Sequence, residues 1–348
     1  MIETISGNPD FIHTLKGKSA TFLLALSNTK TAQIKGITQA GIPGLIHLTP
    51  TLDAEFLESG EVKSLENIAE TPKGVPTPAL ITRAVHLLKP FSSLEFLDLG
   101  LEKIPQIEET IYGFNIKPSD RIDQHAKINA HAIFNVARQF GKTYQPKSDY
   151  VILAESTPSG TTTALASALA LGYKCEEMFS SSFKNTPSNI KQEVVQNALK
   201  YVHPSDSILD KLSKVSDNML IFTAGFIMGA GEIGYPIILA GGTQMAAVLL
   251  IVNALSENFN SQNIALCTTK WVYEDENSNI KALLAMLDFP INAYASDFDF
   301  SLSSHPALKL YDEGEAKEGV GAGAALVYGM LNDLSQEEIT QKVESFLG

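Results

Sequence analysis

The sequence predicts an α/β fold: a doubly wound, mainly parallel Rossmann-like sheet, with a small helical domain drawn from the chain termini. Three observations lead there. Short apolar runs rich in β-formers recur along the chain, of the kind buried on both faces of a parallel sheet. Helical patterns separate them, so strand and helix alternate instead of segregating. The 348 residues, 44% hydrophobic and 19% charged, suffice for a large core without disulfides or metals.

Met1 to Lys18 reads as amphipathic and helical, and Ala20 to Leu26 as the first strand. Thr71 to Pro78 holds three prolines and a glycine, marking an irregular loop, either linker or site loop, before a helix over Ala79 to Leu88. A helix from Gln124 to Gln139 precedes a strand at Tyr150 to Ala154 and helices at Thr162 to Leu171 and Ser188 to Lys200. Met219 to Phe222 reads as a further strand. Ile233 to Ser256 carries no charge and has the length of a membrane span. Gly234, Pro236, Gly241, Gly242 and Gln244 interrupt it, so it reads as a strand at Pro236 to Ala240, a glycine turn and a core helix at Met245 to Leu255. A strand at Asn263 to Cys267 and helices at Ile280 to Leu287, Ala324 to Met330 and Ser335 to Leu347 complete the pattern. The expected division is an α/β domain over 19–310 and a small helical domain from 1–18 and 311–348.

Composition narrows the partners. A net charge of −13 argues against nucleic acid, whose binding rests on clustered Lys and Arg. The polar start Met1-Ile2-Glu3-Thr4 lacks the pattern of a signal peptide, and Cys175 and Cys267 show no metal spacing. A cytoplasmic protein with reduced, buried cysteines, no metal and no membrane association is the expectation. His125 and His131, six apart on the expected helix, have no Cys or acidic partner at ligand spacing. No Gly-x-Ser-x-Gly elbow occurs, and no Gly-x-Gly-x-x-Gly follows the first strand.

Four segments could hold chemistry. In Lys317-Glu318-Gly319-Val320-Gly321-Ala322-Gly323, one carboxylate is fused to a glycine run ahead of a helix. The glycines let backbone lie close to a ligand, and the helix dipole favours the ionised acid. A solvated Glu before a tightly packed helix fits the same pattern. In the second, Ala154-Glu155-Ser156-Thr157-Pro158-Ser159-Gly160-Thr161-Thr162-Thr163, a strand ends in an acid and a helix opens. Such a start can hold a phosphate or ribose, or the threonines can simply cap the helix. The third is Ala240-Gly241-Gly242-Thr243-Gln244, where a glycine pair admits a close ligand or serves a tight turn. The fourth is Ser180-Ser181-Ser182-Phe183-Lys184-Asn185, ahead of the helix carrying Lys191.

Taken in order, these four segments resemble the nicotinate-nucleotide:dimethylbenzimidazole phosphoribosyltransferases, most closely their divergent branch common in archaea and cyanobacteria. The likeness runs from about Ala20 to Met330. It implies exchange of nicotinate on nicotinate mononucleotide for an aromatic N-heterocyclic base, giving an α-ribazole phosphate for cobamide assembly. Glu318 then matches the general base that takes the azole proton. Glu155, with Thr77, Pro78 and Asp98, falls on the ribose and base side. Gly160, Thr161, Thr162, Ser181, Ser182, Gly241, Gly242, Thr243, Gly319 and Gly321 fall on the nucleotide side, and Lys191 matches a phosphate-contacting lysine. The resemblance implies a homodimer and no cofactor. The bacterial Leu-Gly-Glu-Gly-Ser-Gly stands here as Ala316-Lys317-Glu318-Gly319-Val320-Gly321, and the bacterial Asp-His-Gly has Asp98-Leu99-Gly100 as its counterpart. Benzimidazoles and purines both remain open as the accepted base. A nucleotide-binding protein without turnover, or a base hydrolase, is the alternative.

Overall fold

The structure, a computed structural model, describes residues 1–65, 74–185 and 189–347. Thr71 to Lys73 of the proline loop and Ser188 at the expected helix start lie outside them. The strands are β1 (Ile2–Ser6), β2 (Ala20–Leu26), β3 (Ser93–Asp98), β4 (Thr110–Gly113), β5 (Tyr150–Ser156), β6 (Ile237–Ala240), β7 (Ile264–Thr269) and β8 (Asn292–Ser296). The first seven helices are α1 (Thr49–Ser59), α2 (Ala79–Leu88), α3 (Ala130–Thr143), α4 (Gly160–Ala170), α5 (Ile190–Leu199), α6 (Ile208–Val215) and α7 (Asn218–Ala230). They are followed by α8 (Thr243–Leu255), α9 (Lys270–Tyr273), α10 (Ile280–Leu284), α11 (Pro306–Asp312), α12 (Ala322–Leu331) and α13 (Gln336–Glu344).

All eight strands form one sheet in the order β1-β8-β7-β6-β5-β2-β3-β4. Every pairing is parallel except β1 with β8. Period-two alternation on β2 explains why both faces are covered. Phe22, Leu24 and Leu26 join one core with α1, α2, α12 and α13, while Leu23 and Ala25 join the other with α3, α4, α7 and α8. Strand order reverses between β2 and β5: the chain builds outward to β4 on one side, then to β8 on the other. A doubly wound sheet opens a crevice at such a switch, beyond the carboxyl ends of its strands.

Two expectations are corrected. The first residues are not helical, because Ile2–Ser6 forms the antiparallel edge strand. Met219 to Phe222 is not a strand but the start of α7, whose amide at Leu220 is capped by Asp217 Oδ1 at 2.9 Å. That helix is apolar all round because it is buried between α3 and the sheet. At Gly229, a Cβ would stand 2.1 Å from the Arg138 carbonyl oxygen of α3. His125 lies outside α3, at φ 75°, while His131 lies within it and meets Asp210 at 3.0 Å. No helix among the described residues is long and apolar enough to cross a membrane, and they contain no metal-holding group of His, Cys, Asp and Glu.

Candidate active site

At the switch, the turns after β5 and β6 meet the segment before α12 and the start of α1 and together line a cleft. Eleven residues singled out in the sequence line it: Thr77, Pro78, Glu155, Gly160, Thr161, Ser181, Ser182, Gly242, Thr243, Glu318 and Gly319. The other five lie elsewhere. Thr162 and Gly241 are buried behind the lining, and Gly321 is the left-handed N-cap of α12. Asp98 ends β3 with Oδ1 accepting from the amides of Gly100 at 3.0 Å and Leu101 at 2.9 Å. Lys191 Nζ donates to the carbonyl of Ser180 at 2.9 Å, beneath the serine loop.

Glu318 is fixed from four sides. Oε1 accepts from the amides of Gly319 and Gly323, each at 3.1 Å, and Oε2 accepts from Thr269 N at 3.1 Å and Thr268 Oγ1 at 3.2 Å. The Gly323 amide belongs to the first turn of α12, so the helix start does favour the carboxylate. Burial outweighs this. It pushes the Glu318 carboxyl up to about 7, against the four hydrogen bonds that pull it down. The expectation that the helix alone holds the acid ionised is thereby corrected: the group is poised to gain and lose a proton near neutrality.

Three more buried carboxyls form a group with it, centred on Glu155. Glu155, 4% exposed at the end of β5, is pushed up to about 8 by burial and then by the charges of Glu318, Asp217 and Asp53. Burial raises Asp53 and Asp217 to about 6 each, opposed by hydrogen bonds. Asp53 Oδ1 accepts from Thr77 Oγ1 at 2.8 Å and Oδ2 from Ser156 Oγ at 2.7 Å, while Asp217 receives the Thr163 hydroxyl. Several acids crowded into low dielectric favour any positive charge that develops among them. Asp53 was not singled out in the sequence, since one of three acids in a mixed helix, with Glu55 and Glu58 close by, gives no local signal. The same holds for Thr49, one turn before it on α1.

Strain gathers here as well. Ser159, Ala316 and Val320, all lining the cleft, have φ of 61°, 45° and 51°. For a β-branched residue this is a clear departure, and Val320 is held in it by its amide donating to Glu155 O at 3.0 Å and its carbonyl accepting from Thr82 Oγ1 at 2.8 Å. Thr49 Oγ1, Thr157 Oγ1 and Ser159 Oγ are buried cleft-lining hydroxyls with no partner among the described residues. Polar groups left open at a cleft wall are waiting for a polar ligand.

The raised acids carry a stability signature. A carboxyl with folded pKa above its ordinary 4.5 stabilises the fold fully below that value, and this contribution is lost as pH rises to about 8 for Glu155. Glu155→Gln, which cannot ionise, is therefore expected to show a shallower fall of Tm between pH 5 and 9, and to melt several degrees above wild type at pH 9. Parallel Tm curves for the two proteins would remove the buried charge from the account.

Comparison with known proteins follows the same lines. A family model described as phosphoribosyltransferase matches residues 122–265. A UPF0284 protein of Sulfurisphaera tokodaii is 37% identical over 338 residues, covering 93% of this chain and 91% of its own. Another, from Sulfolobus acidocaldarius, is 35% identical over 353 residues, covering 96% and 98%. Among solved structures, a nicotinate-nucleotide-dimethylbenzimidazole phosphoribosyltransferase from Thermus thermophilus superposes with a TM-score of 0.63 at 14% identity, over 97% of this chain and 92% of that one. At that identity the likeness is one of fold.

Proposed function

Because the chain belongs to the UPF0284 family and its residues 122–265 match a phosphoribosyltransferase family model, we propose that it moves the 5-phosphoribosyl group of nicotinate mononucleotide to an aromatic N-heterocyclic base. The observation that carries this reading is Glu318, a carboxyl poised near 7 at the centre of a cleft built for a nucleotide. Ionised Glu318 accepts the N–H proton of an azole while the other ring nitrogen bonds to the anomeric carbon. The bond from that carbon to the pyridinium nitrogen breaks, its electron pair stays on the ring, and nicotinate departs neutral at nitrogen. Attack from the face opposite the leaving ring inverts the anomeric centre, giving an α-ribazole phosphate of the kind used in cobamide assembly. As the glycosidic bond loosens, the ribosyl carbon becomes cationic, and Asp53, a cleft-lining carboxyl raised only to about 6 and therefore ionised at neutral pH, favours that charge. Orientation of base and sugar in line contributes as much again.

The test is incubation with nicotinate mononucleotide and a panel of benzimidazoles and purines, with chromatography of nicotinate and the new nucleotide. Release that depends on the base is expected. Release without any base would point to a hydrolase, and tight binding without release to a nucleotide-binding protein. Under base-saturating conditions kcat/KM should fall about tenfold per pH unit below the Glu318 pKa of about 7, because the general base is then protonated. A flat profile from pH 5 to 8 would be incompatible with that role.

A further inference from the structure

We propose that Lys317 is a positioning residue: its buried ammonium holds the serine loop so that the Ser182 amide faces the cleft beside that of Ser181 as an anion cradle, and it locks this cradle to Glu318. The proposal rests on the phosphoribosyl-transfer reading and adds what positions the phosphate end.

From Phe179 to Phe183 every carbonyl is engaged from behind. Lys191 Nζ donates to Phe179 O at 3.4 Å and Ser180 O at 2.9 Å. Lys317 Nζ donates to Ser181 O at 3.1 Å and Phe183 O at 2.8 Å. Ser182 O accepts from the Ala316 amide at 3.1 Å and from Gln39 Nε2. In a planar trans peptide the N–H of the following residue points opposite to the carbonyl, so Lys191 on Ser180 O turns the Ser181 amide outward and Lys317 on Ser181 O turns the Ser182 amide outward. The amides of Ser181 and Ser182 have no partner among the described residues, and both residues line the cleft. Consecutive free amides of this kind form a concavity for an anion. The unpartnered, buried hydroxyl of Ser159, at the N-cap of α4, lines the same cleft.

Lys317 Nζ donates to two carbonyls and stands 3.4 Å from Asp275 Oδ2 as an ion pair, and both side chains are no more than 5% exposed. Burial lowers its pKa, with the negative charge of Asp275 opposing the shift. It is also the residue before Glu318, and Thr269 Oγ1 donates to its carbonyl. One short segment thus ties the cradle to the general base.

The experiment removes the charge without stranding its partner. Asp275→Asn alone keeps both loop bonds, whereas Lys317→Met with Asp275→Asn loses them and leaves no buried ion unpaired. Calorimetric titration with ribose 5-phosphate reads the cradle, and titration with ribose reads everything else. The double variant is expected to bind ribose 5-phosphate about tenfold more weakly than Asp275→Asn, with ribose binding unchanged, and its KM for nicotinate mononucleotide should rise more than its kcat falls. Lys317→Arg should recover part of the loss. If the double variant does not fold, Lys317→Gln, which keeps one bond to the loop, is expected to lose about threefold. Equal affinity in the variants, or no ribose 5-phosphate binding by wild type, overturns the cradle. A wild type that binds ribose 5-phosphate but releases no nicotinate with any base overturns the transfer reading alone and leaves the cradle standing.

Discussion

Glu318→Gln is expected to lower kcat at least about a hundredfold while leaving KM for nicotinate mononucleotide within about twofold. The carboxylate makes no bond to the leaving ring in this reading. It acts only as the attacking azole loses its proton, an interaction that exists in the transition state and not in the bound nucleotide. Substitution also tests the local geometry. Both carboxylate oxygens face two donors, so an amide NH₂ must point at one of these pairs. The Thr268 hydroxyl can rotate to accept from it, but the Thr269 amide is then left unpaired. A modest loss of stability, about 1 to 2 kcal/mol, should therefore accompany the loss of turnover. Glu318→Asp separates the two effects: it retains a base, pulled back by one methylene, and should keep more activity than Gln yet less than wild type. Purified Glu318→Gln with wild-type kcat at pH 7 would remove the residue from catalysis.

How far the sequence discloses this site depends on how local each signal is. Strand β2 and helix α2 take the bounds expected of them, because one is a run of apolar β-formers and the other an amphipathic repeat. The start of α7 misleads, since a helix buried on all sides has no period to distinguish it from a buried strand. β1 is missed for the opposite reason: an edge strand exposes polar residues and carries little pattern. Glu155 stands at the end of a strand and Glu318 beside a glycine run just before a helix, and both can be found by eye. Asp53 and the Lys317–Asp275 pair cannot. Asp53 becomes a cleft residue only when Thr77 and Ser156 are folded against it, and Lys317 acquires meaning only from carbonyls more than a hundred positions away. Lys191 shows the converse, with a recognisable position in sequence but a side chain turned to the Phe179 and Ser180 carbonyls.

Gly323→Ala should abolish activity and destabilise the protein by about 3 kcal/mol or more, although it adds a single methyl group. Gly323 sits in the first turn of α12, where alanine is ordinarily the better helix former. Propensity predicts a gain, and packing reverses the sign. A Cβ here would lie 2.2 Å from the Thr268 carbonyl carbon, 2.5 Å from its Cα and 2.5 Å from Thr269 N. All three are backbone atoms of β7, which cannot rotate aside as a side chain can. Helix α12 would have to lift from the strand, taking with it the Gly323 amide that donates to Glu318 Oε1, while the Thr269 amide on the other side stays behind. The two groups that clamp the carboxylate would thus separate by the displacement itself, and a shift on the order of 1 Å suffices to cost about a hundredfold in rate. Thermal unfolding and nicotinate release on the same preparation check both halves. Gly323→Ala with wild-type Tm would mean that α12 sits farther from β7 than described, and a loss of Tm with full activity would mean that Glu318 does not depend on this clamp. The close approach of helix to strand is thus what places the carboxylate, and the glycine run beside Glu318 serves its position through contact with the sheet.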